Sequence, residues 1–130
     1  MYHNTNLGRA SDQYRSMELS SRIESADPHT LVSILYDELL KCVDVLAAAA
    51  ARGQALATNQ YAHRARAILL SLQSGLDFNR GGDLAPMLAG LYAAITEELN
   101  ARIADGNVDR MAELRIAIES VVHAWNEIAG

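Results

Sequence analysis

The chain is poor in aromatic side chains, with one Trp, one Phe and five Tyr in 130 residues. Its apolar half is mostly Ala, Leu, Ile and Val, so any core must be aliphatic. The single cysteine, Cys42, has no second thiol to pair with, which excludes an internal disulfide. Cys42 sits in an apolar stretch and reads as a buried structural thiol in a reducing compartment. There is only one lysine; the other basic residues are arginines scattered along a chain of net charge −5. Without a basic run there is no footprint for nucleic acid. The longest uninterrupted apolar run, 45–51, has seven residues, whereas a membrane-spanning helix needs roughly 20. Met1–Ala10 is polar and has no apolar stretch of the secretory kind. The expectation is a cytoplasmic protein with no membrane insertion.

What remains is a composition made for helices. Half the residues are hydrophobic and 21% are charged, and Ala and Leu are strong helix formers. Asp27-Pro28 opens the first long helix, because Asp caps well and Pro tolerates the first helical position. Leu31, Ile34, Leu35, Leu39, Cys42 and Leu46 then recur at steps of three and four. Arg52-Gly53 ends this helix, and Thr58 is the expected cap of the next. Tyr61, Ala65, Ile68, Leu69, Leu72 and Leu76 carry the second stripe up to a loop containing Gly81-Gly82. Asp83 is the expected cap of a third helix, with Pro86 in its first turn, and Asp105-Gly106-Asn107 breaks it. A fourth stripe runs through Met111, Leu114, Ile118, Val121, Trp125 and Ile128.

The predicted helices cover about 28–52, 58–76, 83–104 and 108–128. Short links between long helices favour antiparallel neighbours, so the expected fold is all-α, an up-down-up-down four-helix bundle over residues 27–130. Residues 1–26 are polar and weakly patterned; they read as a cap segment, either a short helix or a flexible tail.

No constellation of residues supports catalysis. A di-iron bundle needs Glu-x-x-His on two helices, and the motif does not occur. Glu119 and His123 share a helix face but make only two ligands, so no metal or cofactor is expected. Asp37-Glu38 and Glu97-Glu98 are neighbours that point about 100° apart on a helix. Gly81-Gly82 lacks the Lys-Ser/Thr of a phosphate loop. A histidine phosphotransfer bundle is the alternative; His63, beside Arg64 and Arg66, is its one candidate, without the lysine and glycine expected near such a site.

Surplus apolar surface is the other feature. The first helix is apolar over about half its circumference, wider than a surface helix needs. The third carries Leu84, Met87, Leu88, Leu91, Tyr92 and Ile95. Such faces suit either an enclosed core, a weak homodimer, or a groove for an amphipathic segment of a partner. In the last case Tyr2, Tyr14 and Ile23 of the N-terminal segment are positioned in sequence to cover the groove while it is empty.

Four stretches together resemble the FliS flagellar secretion chaperones. They are Ser25-Ala-Asp-Pro-His-Thr-Leu-Val-Ser-Ile-Leu-Tyr-Asp37, then Gly75-Leu-Asp-Phe-Asn-Arg-Gly-Gly-Asp-Leu-Ala85, then Leu91-Tyr92, and finally Ala124-Trp125-Asn-Glu-Ile128. They occur in the family's order and spacing from residue 25 to 128, after an opening Met1-Tyr2 that also fits. The resemblance implies an antiparallel bundle that binds the disordered C-terminal region of flagellin in the cytoplasm. It also implies that premature polymerisation is prevented and that the client is delivered to the gate of the flagellar type III secretion system. The chaperone would be a monomer or weak homodimer. On this reading flagellin lies around Leu31, Leu35, Tyr36, Leu39, Leu72, Leu88, Leu91, Tyr92 and Ile95.

Overall fold

The computed structural model describes residues 27–79 and 82–128. The expected roles of Tyr2, Tyr14 and Ile23 therefore fall outside the described residues. Among these, the protein has four helices and no strand: α1 Pro28–Ala51, α2 Gln60–Ser74, α3 Leu84–Asp105 and α4 Val108–Glu127.

Local chemistry sets the ends of each helix. The Asp27 carboxylate accepts a hydrogen bond from the Thr30 N–H at 2.8 Å, with Pro28 at the first helical position. That bond, first among its causes, lowers the Asp27 pKa below the ordinary carboxylate value. Helix α2 begins two residues later than expected. Asn59, not Thr58, caps it by accepting from the Tyr61 N–H at 2.8 Å. Both residue types cap well, so periodicity alone could not choose between adjacent positions. Asp83 occupies the cap position of α3 but makes no side-chain cap bond, because its backbone is already helical (φ −78°, ψ −15°). Helix α3 ends at Gly106, whose φ of +62° is open to glycine at little cost. Asn107 then caps α4 by accepting from the Arg110 N–H at 3.0 Å.

Helix α1 packs against α2 and α4, and α3 packs against the same two. Among the described residues α1 is the most closely packed against the other helices and α3 the least. Small side chains belong to the core as well: Ala49 of α1 and Ala62 and Ala65 of α2 are fully buried. Val43, Leu46, Leu99 and Met111 fill the same core without exposure. Cys42 is buried among them, and burial pushes its thiol up to about 11. Several polar links between side chains lie outside this core. Arg115 bridges Asp44 of α1 and Glu119 of its own helix. Glu38 of α1 faces Arg64 of α2 at 3.7 Å, and the Arg66 guanidinium donates to Asn100 of α3 at 2.7 Å. The Arg102 side chain is buried yet satisfied by Glu98 and Asp105.

Candidate polypeptide-binding surface

The nine apolar residues singled out from sequence separate into two groups. Tyr36, Leu39, Leu72, Tyr92 and Ile95 are buried in the main core cluster. Leu31, Leu35, Leu88 and Leu91 are half-buried at its margin; of these Leu35, Leu88 and Leu91 pack directly against the cluster. A helix with two neighbours needs a wide apolar face merely to fill the core, and that accounts for most of the breadth of α1.

Exposed apolar side chains occur on α2, α3, α4 and the loop before α3, and those of α3 are grouped on one face of the helix. From Leu84 to Thr96 this helix has no charged residue. Leu84, Met87, Leu88 and Leu91 follow at helical steps and share one face. Met87 is 63% exposed and Leu84 40%. Exposed Phe78 lies in the loop before α3, and exposed Leu70 near the end of α2. Sequence reasoning passed over Leu70 and Phe78. Leu70 follows buried Ile68 and Leu69 and falls on the far side of the helix, so its departure from the three-and-four rhythm was the available signal. Ile116 on α4 is exposed for the same reason, between Leu114 and Ile118.

Behind the α3 stripe stands an aromatic chain. His29, in the first turn of α1, stacks on Trp125, in the last turn of α4, with centroids 4.7 Å apart and planes 11° from parallel. The Trp125 indole N–H donates to the His29 carbonyl at 3.2 Å. The His29 Nε2–H donates to the Trp125 carbonyl at 3.2 Å, which requires the Nε2-protonated tautomer or the imidazolium. The Tyr36 ring packs edge-on against Trp125 at 5.8 Å. The Tyr36 hydroxyl in turn shares a buried hydrogen bond of 2.6 Å with that of Tyr92. Desolvation, first among the causes, raises both phenol pKa values above the ordinary one, strongly for Tyr36.

The surface offers contact area rather than reactive chemistry. Among the described residues no group of three His, Cys, Asp or Glu side chains could hold a metal ion. Two open depressions, about 240 and 360 Å³, lie along α1 and at the joint of the α1–α2 link with the end of α3. His63 is exposed on α2 beside Arg64 and Arg66. No helix among the described residues is long and apolar enough to cross a membrane.

The family model of flagellar protein FliS matches residues 10–130. The chain belongs to the FliS family. Its relatives include the flagellar secretion chaperone FliS of Campylobacter jejuni, 29% identical over 78% of this chain and 79% of the relative. The flagellar secretion chaperone FliSB of Pseudomonas aeruginosa is 26% identical over 93% and 96%. The flagellar secretion chaperone FliS of Salmonella typhimurium is 24% identical over 89% and 87%. These FliS relatives are named chaperones, and no enzymatic family is indicated.

Proposed function

We propose that the chain is a cytoplasmic export chaperone. It binds the disordered C-terminal region of flagellin, keeps it from polymerising early, and hands it to the gate of the flagellar type III secretion apparatus. The observation that carries this reading is the α3 stripe. Leu84, Met87, Leu88 and Leu91 form an uncharged face on the helix that is least closely packed among the described residues, in a chain whose relatives are named flagellar secretion chaperones. An amphipathic client segment laid on that face buries apolar area at about 25 cal/mol per Å², less the cost of ordering the client. Half-buried Leu31 and Leu35 on α1 extend the contact, while Tyr36, Leu39, Leu72, Tyr92 and Ile95 support it from the core.

The arrangement proposed for the helices is antiparallel, up-down-up-down. It is supported by two cross-links between α1 and α4: His29, early in α1, meets Trp125, late in α4, whereas Asp44, late in α1, meets Arg115, earlier in α4. Residues 1–26, through Tyr2, Tyr14 and Ile23, are proposed to cover the apolar surface while no client is bound, with the chaperone a monomer or weak homodimer. Deleting residues 1–24 should then raise binding of an apolar dye or promote dimerisation; no change in either would reject the covering role. The competing phosphotransfer reading rests on His63 alone and is not favoured by the family match. Co-purification of flagellin with this chain, lost when the flagellin tail is removed, tests the main proposal; equal capture of the tail-less form would reject it.

A further inference from the structure

Helices α1 and α3 face each other across the core, and neither has the other among its closely packed neighbours. They are joined instead by the Tyr36–Tyr92 hydroxyl pair, 2.6 Å apart and buried, with the rings edge to face at 6.3 Å. The other contacts of α3 in the core come mainly from aliphatic side chains such as Ile95, Leu99 and Ile103. Aliphatic contacts are non-directional and tolerate a helix that slides or rotates a little. A hydrogen bond is directional, and separating two buried hydroxyls leaves both desolvated and unpaired.

Tyr36 has a further aromatic neighbour. Tyr36 rests against Trp125, which is stacked on His29 and bonded to it in both directions. On α3 the Thr96 hydroxyl donates to the Tyr92 carbonyl at 2.7 Å. Leu91 is the residue before Tyr92, and Leu88 lies one turn earlier. The position of the stripe relative to Tyr92 is therefore fixed by the helix itself.

We propose that the Tyr36–Tyr92 hydroxyl pair is a positioning device for client binding, setting the register of α3, and hence of the Met87–Leu88–Leu91 face, against α1. Met87 presents this face to solvent, and Leu88 and Leu91 back it. The inference rests on the reading of that face as the flagellin-binding surface. Aliphatic packing gives α3 its stability, and the polar pair selects one arrangement among packings of similar energy.

The test uses the full chain and the double variant Y36F/Y92F, which removes both hydroxyls and leaves neither orphaned. The expected melting midpoint is close to wild type. Hydrogen exchange of the α3 amides between Leu88 and Thr96 should nevertheless accelerate by up to roughly tenfold, the equivalent of one lost hydrogen bond. Exchange in α2 should stay unchanged. Affinity for a synthetic peptide of the flagellin C-terminal region should fall by about five- to tenfold. Wild-type exchange in α3, or an equal acceleration in all four helices, would overturn the positioning role, as would undiminished affinity in a peptide-binding protein. Should the wild-type chain itself not bind the peptide, the client assignment fails, and the exchange pattern alone decides the register claim. If the double variant does not fold, Y36F, which keeps the ring, is read by the same exchange measurement with the same two outcomes.

Discussion

Replacing Met87 and Leu84 together by serine separates a binding surface from a core. Fully burying a Met or Leu side chain contributes about 1.5–3 kcal/mol. In the free protein Met87 retains 63% of its exposure and Leu84 40%, so about 1–2 kcal/mol of that contribution is still available at Met87 and roughly 1 kcal/mol at Leu84. A client that covers both gains about 1.5–3 kcal/mol from the pair, which is roughly 10- to 150-fold in Kd. Folding draws only on the part already buried, and the change in stability should stay near 1 kcal/mol. The assay is isothermal titration with a flagellin C-terminal peptide, run beside urea denaturation of the same variant. The expected pattern is an affinity loss of at least tenfold with a modest shift in the urea midpoint. An affinity within twofold of wild type, in a folded variant, would show that the client does not lie on this face. A collapse of stability with no separate binding defect would mean that both side chains belong to the core.

Three further outcomes follow from the same structure. Stability should decline above about pH 9: the unfolded chain releases the Cys42 proton near its ordinary value of 9.0, whereas the folded chain holds it until about 11, so this contribution is complete below 9 and lost through that window. The raised Tyr36 and Tyr92 values add to the decline above 10, each group at up to roughly 1.4 kcal/mol per pH unit, measurable as urea midpoints at pH 8 and 10.5. Trp125→Phe keeps a ring against Tyr36 but removes the indole N–H that donates to the His29 carbonyl, and should cost about 1–2 kcal/mol in thermal melting; an unchanged midpoint would show that the clasp is not maintained in solution. Gly106→Ala meets no neighbouring atom but places a Cβ at φ +62°, so it should cost about 1 kcal/mol, with Gly106→Asn milder; equal stability of the alanine variant would contradict the left-handed helix end.

The helices were legible because their ends carry distinctive chemistry and their faces a clean period. Asp27-Pro28 and Gly106-Asn107 pair a capping side chain with a backbone constraint, and the structure uses both. The start of α2 was less legible because Thr58 and Asn59 offer similar caps one residue apart. The candidate surface was legible only in part. Tyr36 and Leu31 lie on one broad apolar face of α1, and the sequence pattern does not show how far neighbouring helices close over it; Tyr36 proves buried and Leu31 only half so. Tyrosine reads as a groove-lining residue because its hydroxyl seeks a polar partner. Here the partner of Tyr36 is Tyr92, 56 residues away, a pairing that helical periodicity within one segment cannot reveal. Met87 and Leu84 stood in the same stripe as Leu88 and Leu91, and only their exposure singles them out as surface available to a client.

The proposed client of this chain is the unfolded tail of flagellin. Titration of the purified chain with full-length flagellin monomer, and with the same flagellin lacking its C-terminal region, tests it most directly. A saturable complex is expected with the full-length monomer and none with the truncated one. Equal binding of both forms, or of neither, would contradict the proposal.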